Sequence, residues 1–202
     1  MYQKTMGFIK MKKVLALVVL LVFISNVKVF ALEDDTLYKY VNFDACLSVG
    51  ETQTYDRNDN KRGMVSIGGI WNFSLGLQYN RLRGELAYQE RAEVSEIVQT
   101  MLGLVSTMTV RAAMANFYYD YVRSKHFAMY LGTGIGADYY ELSMKSWTDL
   151  YEDSGYSCIL GGYTGLTFII KQFSIDLGFN YYYITKPETN TYAPKISFRY
   201  AF

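Results

Sequence analysis

Residue types that usually carry chemistry are sparse in this 202-residue chain. It has one histidine, His126, inside the basic stretch "RSKHF", and two cysteines, Cys46 and Cys158, far apart in sequence. Proton transfer or nucleophilic attack would need His126 beside a serine or carboxylate. The short turn that holds it lies, by the loop pattern given below, at the end opposite the long loops where such a group would assemble. No cluster of His, Cys and carboxylates has metal-ligand spacing. "GTGIG", Gly132 to Gly136, is a run of alternate glycines within a strand, not the strand-to-helix loop that cradles phosphate. The residues therefore assign no catalytic, cofactor-binding or metal-ligating role. A disulfide would need the two cysteine Cα atoms within roughly 7 Å, and two unpaired thiols are expected.

What remains is a set of charges, Asp44, Arg83, Glu85, Asp120, Asp176 and Arg199, each on the polar side of a segment that alternates with period two. Such alternation marks half-buried strands. Eight segments show it, and no convincing helical period follows residue 31. They span Leu37–Gly50, Gly63–Phe73, Arg81–Glu90, Met108–Tyr121, Phe127–Leu142, Tyr156–Ile170 and Phe173–Ile184, with a last strand opened by Pro194. The connections after the first, third, fifth and seventh segments are long or polar, including "ETQTYDRNDNKR" and "TKPETNTY". Those after the second, fourth and sixth are mostly short. This asymmetry is that of outer-membrane barrels, with long external loops and short periplasmic turns, and it places both termini in the periplasm. An even strand number also lets the last strand close onto the first, leaving no free edge.

The N-terminus points the same way. Lys4, Lys10, Lys12 and Lys13 precede an uncharged run from Val14 to Ile24, and Val29-Phe30-Ala31 suits cleavage. Residues 1–31 are expected to be a cleaved signal peptide, with Met11 as an alternative start, and residues 32–202 one barrel domain. The run is shorter than the ~20 apolar residues a spanning helix needs. Removing residues 1–31 takes away five lysines and no acids, so the 20 basic and 19 acidic residues become 15 and 19. A net charge near −4 leaves no basic footprint for nucleic acid.

Periodicity alone does not say which face meets water. A soluble carrier barrel would turn its apolar faces inward, and a membrane barrel would turn them outward. Glycines 132, 134 and 136 share a face with Tyr130 and Asp138, which makes room for long side chains across a narrow lumen. The 20 tyrosines and 12 phenylalanines cluster towards strand ends, as aromatic girdles do. Both features favour the membrane barrel.

"AMANFYYDYVRSKHFAMYLGTGIGADYY", Ala113 to Tyr140, resembles the central hairpin of the opacity-type outer-membrane barrels, relatives of the membrane domain of outer-membrane protein A. The matching features are Asn116, the aromatic pair before Asp120, the short basic turn, and Tyr130 followed by Gly132, Gly134 and Gly136. "LRGELAY" with Glu85 and Tyr88, and the terminal "FRYAF", extend the likeness over nearly all of residues 32–202. Members commonly have Pro before the strand-five Tyr, where this chain has Met129. The resemblance implies an all-β, eight-stranded antiparallel transmembrane barrel in the bacterial outer membrane. It also implies that Ile196, Phe198, Tyr200 and Phe202 face lipid and form the signal read by the barrel assembly machinery.

A barrel of eight strands has an interior just wide enough for side chains to fill. Asp176 and Arg199 should lie at similar depth, with Asp44 in reach of the same Arg199, while Arg83, Glu85 and Asp120 form a second group. Unpaired buried charges would each cost several kcal/mol, so paired networks that plug the tube are expected. A narrow channel lined by the same charges is the alternative, as is an enzyme that modifies membrane lipids. Function then falls to the loops. "EIVQTMLGLVST", with Met101 and Leu102, is either strand extension beyond the membrane rim or a sticky surface for a host or neighbouring protein. "KSWTDLYEDSG" offers Trp147 and Tyr151 for contact or interfacial anchoring.

Overall fold

The computed structural model describes residues 37–55, 61–97, 104–145 and 150–202; the signal peptide expected at 1–31 lies outside them. The described residues form eight strands: β1 (Leu37–Tyr55), β2 (Lys61–Tyr79), β3 (Leu82–Ile97), β4 (Leu104–Arg123), β5 (Phe127–Lys145), β6 (Leu150–Ile170), β7 (Phe173–Thr185) and β8 (Glu188–Ala201). Each is antiparallel to the next, and β8 pairs with β1 to close the barrel.

Following paired residues from Val41 through Leu75, Leu86, Ala115, Ile135, Leu160, Tyr183 and Asn190 returns the path to β1 at Glu51, ten residues beyond its start. A stagger of that size over eight strands tilts them by about 40° to the barrel axis. Leu37 and Phe202 share one end, called near here, with Phe202 N–H donating to the Lys39 carbonyl at 2.9 Å. The near end is built of tight turns. Asn80 (φ 53°) and Lys171 (φ 59°) both take the left-handed conformation that two-residue hairpin turns require.

The faces divide as a membrane barrel requires. Leu47 is 73 % exposed and Leu86 72 %, whereas their inward neighbours Ser48 and Glu85 are 1 % and 6 % exposed. Phe43, Ile67, Phe117, Leu131, Ile135, Leu177 and Phe198 also face outward. A soluble carrier would reverse this pattern. Tyr79, Tyr119, Tyr121 and Tyr200 belt the near end, while Tyr139, Tyr156 and Tyr192 lie towards the far, or distal, end.

Three expectations change. The strands run well past their expected distal ends, so that Glu51–Tyr55 continue β1 and Arg91–Ile97 continue β3. "TKPETNTY" is no long loop. β7 and β8 join through a turn at Lys186-Pro187, and Thr189 and Thr191 point inward as strand residues. Pro194 accordingly lies inside β8 instead of opening it. There the β1–β8 pairing is interrupted between Cys46↔Lys195 and Val49↔Tyr192, because proline has no N–H to donate.

Candidate functional site: a charge network in the lumen

Parity along each strand decides which side chains enter the lumen, and the stagger decides which of them meet. Arg83 on β3 comes to Asp120 of β4 at 3.1 Å and to Asp176 of β7 at 3.8 Å. Arg199 on β8 reaches the other oxygen of Asp176 at 3.1 Å, and Ser197 donates to that carboxylate at 3.3 Å. The two expected groups are therefore one, joined through Arg83 and Asp176.

Asp120 is aimed by local structure. Its N–H donates to the Arg81 carbonyl at 2.8 Å. A register shift between Asp120 and Val122 then leaves Tyr121 and Val122 both outward, as a bulge does. Arg123 is thereby free to fold back onto Asp120 at 2.9 Å.

Two expectations on partners are corrected. Asp44 pairs with Lys195 at 3.7 Å instead of Arg199, and it accepts hydrogen bonds from Asn42 (2.9 Å) and Asn72 (3.2 Å). Glu85 forms no ion pair with Arg83; it accepts hydroxyls from Tyr40 (2.8 Å), Ser74 (3.2 Å) and Tyr118 (3.3 Å). These neutral donors cost less to desolvate than a second cation would.

Aromatic rings complete the packing. The Arg83 guanidinium lies 4.6 Å from the Tyr130 ring centroid and 4.9 Å from that of Tyr118, within cation–π range. Arg199 lies 5.2 Å from the Tyr40 ring. Tyr118, Tyr163 and Tyr182 continue up the lumen with centroids 5.3 and 5.9 Å apart. Tyr163 donates to Asn116 at 2.9 Å, and a Cβ on Gly134 would collide with both. Gly132, Gly134, Gly161 and Gly165 leave room for the rings of Tyr118, Tyr163 and Tyr130, whereas Gly136 faces Met114.

A second, distal layer escaped the sequence reading, because Arg91 and Glu93 fall beyond the expected end of β3. Arg91 is wholly buried, with its Nε 2.6 Å from Glu93 Oε1, and Ser66 donates to Glu93 at 2.6 Å. The geometry of the Arg91 pair makes no hydrogen bond, so all three guanidinium nitrogens lack protein acceptors. Val110, paired directly with Arg91, and Ile159 and Ile184 on β6 and β7 belong to the buried apolar cluster of the lumen. Lys195, Tyr40, Tyr118 and Tyr182 were legible in principle, since each shares the inward parity of a residue already singled out; Tyr163 was not, because no inward residue of its segment had been.

Other candidates fall elsewhere. Ile196, Phe198 and Tyr200 face outward on β8, and Phe202 follows its end. Met101, Leu102 and Trp147 lie outside the described residues, and Tyr151 is a backbone position of β6. His126 occupies the exposed near-end turn, its carbonyl accepting from Ile169 N–H at 2.9 Å. Cys46 points into the lumen and Cys158 out of the wall, both as free thiols. No group of three His, Cys, Asp or Glu among the described residues is arranged to hold a metal.

No protein-family model matches the chain, and no curated protein matches it. Solved structures do. Neisserial surface protein A superposes with a TM-score of 0.56 at 18 % identity, covering 81 % of this chain and 97 % of that one. Ail, the attachment invasion locus protein of Yersinia pestis, gives 0.48 at 15 % identity over 82 % and 98 %. The N-terminal barrel domain of Pseudomonas aeruginosa OprF gives 0.40 at 13 % over 80 % and 97 %. The first of these likenesses places the fold among small outer-membrane barrels.

Proposed function

We propose that this chain is a non-enzymatic barrel of a bacterial outer membrane, with a lumen closed to solutes, that presents its distal loops to a host or neighbouring protein. Residues 1–31 serve as the signal peptide and residues 32–202 as the barrel, with both termini in the periplasm. Ile196, Phe198, Tyr200 and Phe202 form the strand read by the assembly machinery, and membrane lipids surround the wall. Neisserial surface protein A is by its name a surface protein, and the same setting suits this chain.

One observation carries the closed lumen: Arg83, Lys195 and Arg199 are interleaved with Asp44, Glu85, Asp120 and Asp176 across the tube, all buried. An ion entering would have to part charges from their partners in a medium where separation is costly. A rigid scaffold leaves contact through its distal connections as its activity, with Met101, Leu102 and Trp147 in the loops and Tyr151 at the adjoining start of β6.

Two experiments test the two halves. Planar-bilayer recording of the purified protein should show no steady conductance, and a large stable one would refute the plug. Cells displaying the protein should lose attachment to host cells or matrix when residues 98–103 and 146–149 are replaced by Gly-Ser linkers. Attachment unchanged by both replacements would refute the loop assignment.

A further inference from the structure

β6 outruns its neighbour. It has 21 residues against 13 in β7, and its pairing with β7 stops at Ile159↔Ile184. Its pairing with β5 continues to Lys145↔Leu150. Beyond the Lys186-Pro187 turn the situation is mirrored: β8 pairs with β1 only as far as Thr52↔Thr189, while β1 runs on beside β2 to Tyr55↔Lys61. The distal rim therefore has a gap two strands wide between β6 and β1, about three interstrand spacings of ~4.8 Å.

The side of β6 that faces this gap is fixed by one contact. Cys158 N–H donates to Thr185 Oγ1 at 3.2 Å, so the main-chain groups of Cys158 point towards β7. Main-chain groups alternate sides along a strand. Those of Glu152, Ser154 and Tyr156 consequently point into the gap, and those of Asp153, Gly155 and Ser157 point to β5. Among the described residues no strand pairs with this edge.

Unpaired edges are ordinarily covered, shortened or charged, and this one is charged. Glu152 and Asp153 lie on it, Glu188 on the hairpin below and Glu51 on the β1 wall, all exposed, with Lys186 as the exposed cation of that hairpin among the described side chains. Asp153 also accepts the Tyr140 hydroxyl at 3.3 Å. Tyr156 is 82 % exposed beside them. A second copy of the chain would bring the same acidic set against itself. An extended basic segment meets complementary charge as well as free hydrogen-bonding groups.

We propose that the β6 edge from Glu152 to Tyr156 accepts an extended lysine- or arginine-rich strand of another protein, added to the sheet by main-chain hydrogen bonds, with its cations meeting Glu152, Glu188 and Glu51. This rests on the distal end lying outside the cell, as proposed above.

The test uses the full chain in lipid nanodiscs, with fluorescent peptides of alternating lysine and valine or glutamate and valine. The Lys-Val peptide should bind about ten-fold more tightly than the Glu-Val peptide. Binding should fall by a similar factor for Ser154→Pro and for a Lys-Val peptide N-methylated at alternate residues, and Ser154→Ala should bind normally. Ser154→Pro is scored only if its cold-SDS migration is unchanged; the N-methylated peptide decides otherwise. Equal binding of methylated and unmethylated peptide would overturn the proposal, as would self-association through this edge without peptide binding. Labelling of intact cells by an impermeant maleimide, with Tyr156→Cys in a Cys158→Ser background, separates the two readings. No labelling contradicts the surface orientation, whereas labelling without peptide binding contradicts only the edge.

Discussion

Arg83 bridges two strands' worth of carboxylate, and its removal is the most informative single substitution. Arg83→Met should destabilise the barrel by about 3 kcal/mol, read by urea unfolding in lipid vesicles. The cost stays at the low end because Asp120 keeps Arg123 and Asp176 keeps Arg199. Adding Arg199→Met strips Asp176 of both arginines, so the double variant should lose more than the sum of the singles. Glu85→Gln should cost less than Arg83→Met, since Glu85 holds only neutral hydroxyls. The sequence made the inward side of each strand readable but not the partners. Asp44 sits opposite Ser197, with Lys195 and Arg199 each two residues away on β8. Choosing between those two cations needs the strand tilt, which parity does not contain.

Strands, glycines and turns form the next scale. Gly134 and Gly84 both lie within strands, but a Cβ on Gly134 would strike Asn116 and Tyr163, whereas one on Gly84 meets nothing within 4 Å. Gly134→Ala should therefore cost about 1–3 kcal/mol by overpacking, and Gly84→Ala should stay within about 0.5 kcal/mol, both measured as above. Strand identity was legible wherever the outward face meets hydrocarbon, because only there do the two faces differ in polarity. Beyond the membrane rim both faces are polar, as in Glu188, Thr189, Asn190 and Thr191. Such a strand has the composition of a loop, which is why "TKPETNTY" and the upper part of β1 read as loops. The Arg91–Glu93 layer was missed for a different reason: Glu90 puts a charge on the outward face and interrupts the alternation, which Ala92 and Val94 resume beyond it.

At the scale of the whole molecule, wall and lumen are two solvents separated by one residue of register. Leu86 faces outward and Glu85 inward, so Leu86→Arg should cost about 2–4 kcal/mol in a bilayer if the site lies near mid-depth. Closure and strand number followed from alternation and the even number of segments, whereas the sense of the faces needed the alternate glycines of β5 and the aromatic residues at the strand ends. The most direct measurement of the central claim, that the apolar wall lies in hydrocarbon, uses spin labels at single cysteines in a Cys46→Ser, Cys158→Ser background. In reconstituted bilayers, labels at Leu86 and Ile135 should relax strongly with oxygen and weakly with a water-soluble nickel chelate. Strong relaxation by the chelate at both positions, with oxygen weak, would contradict it.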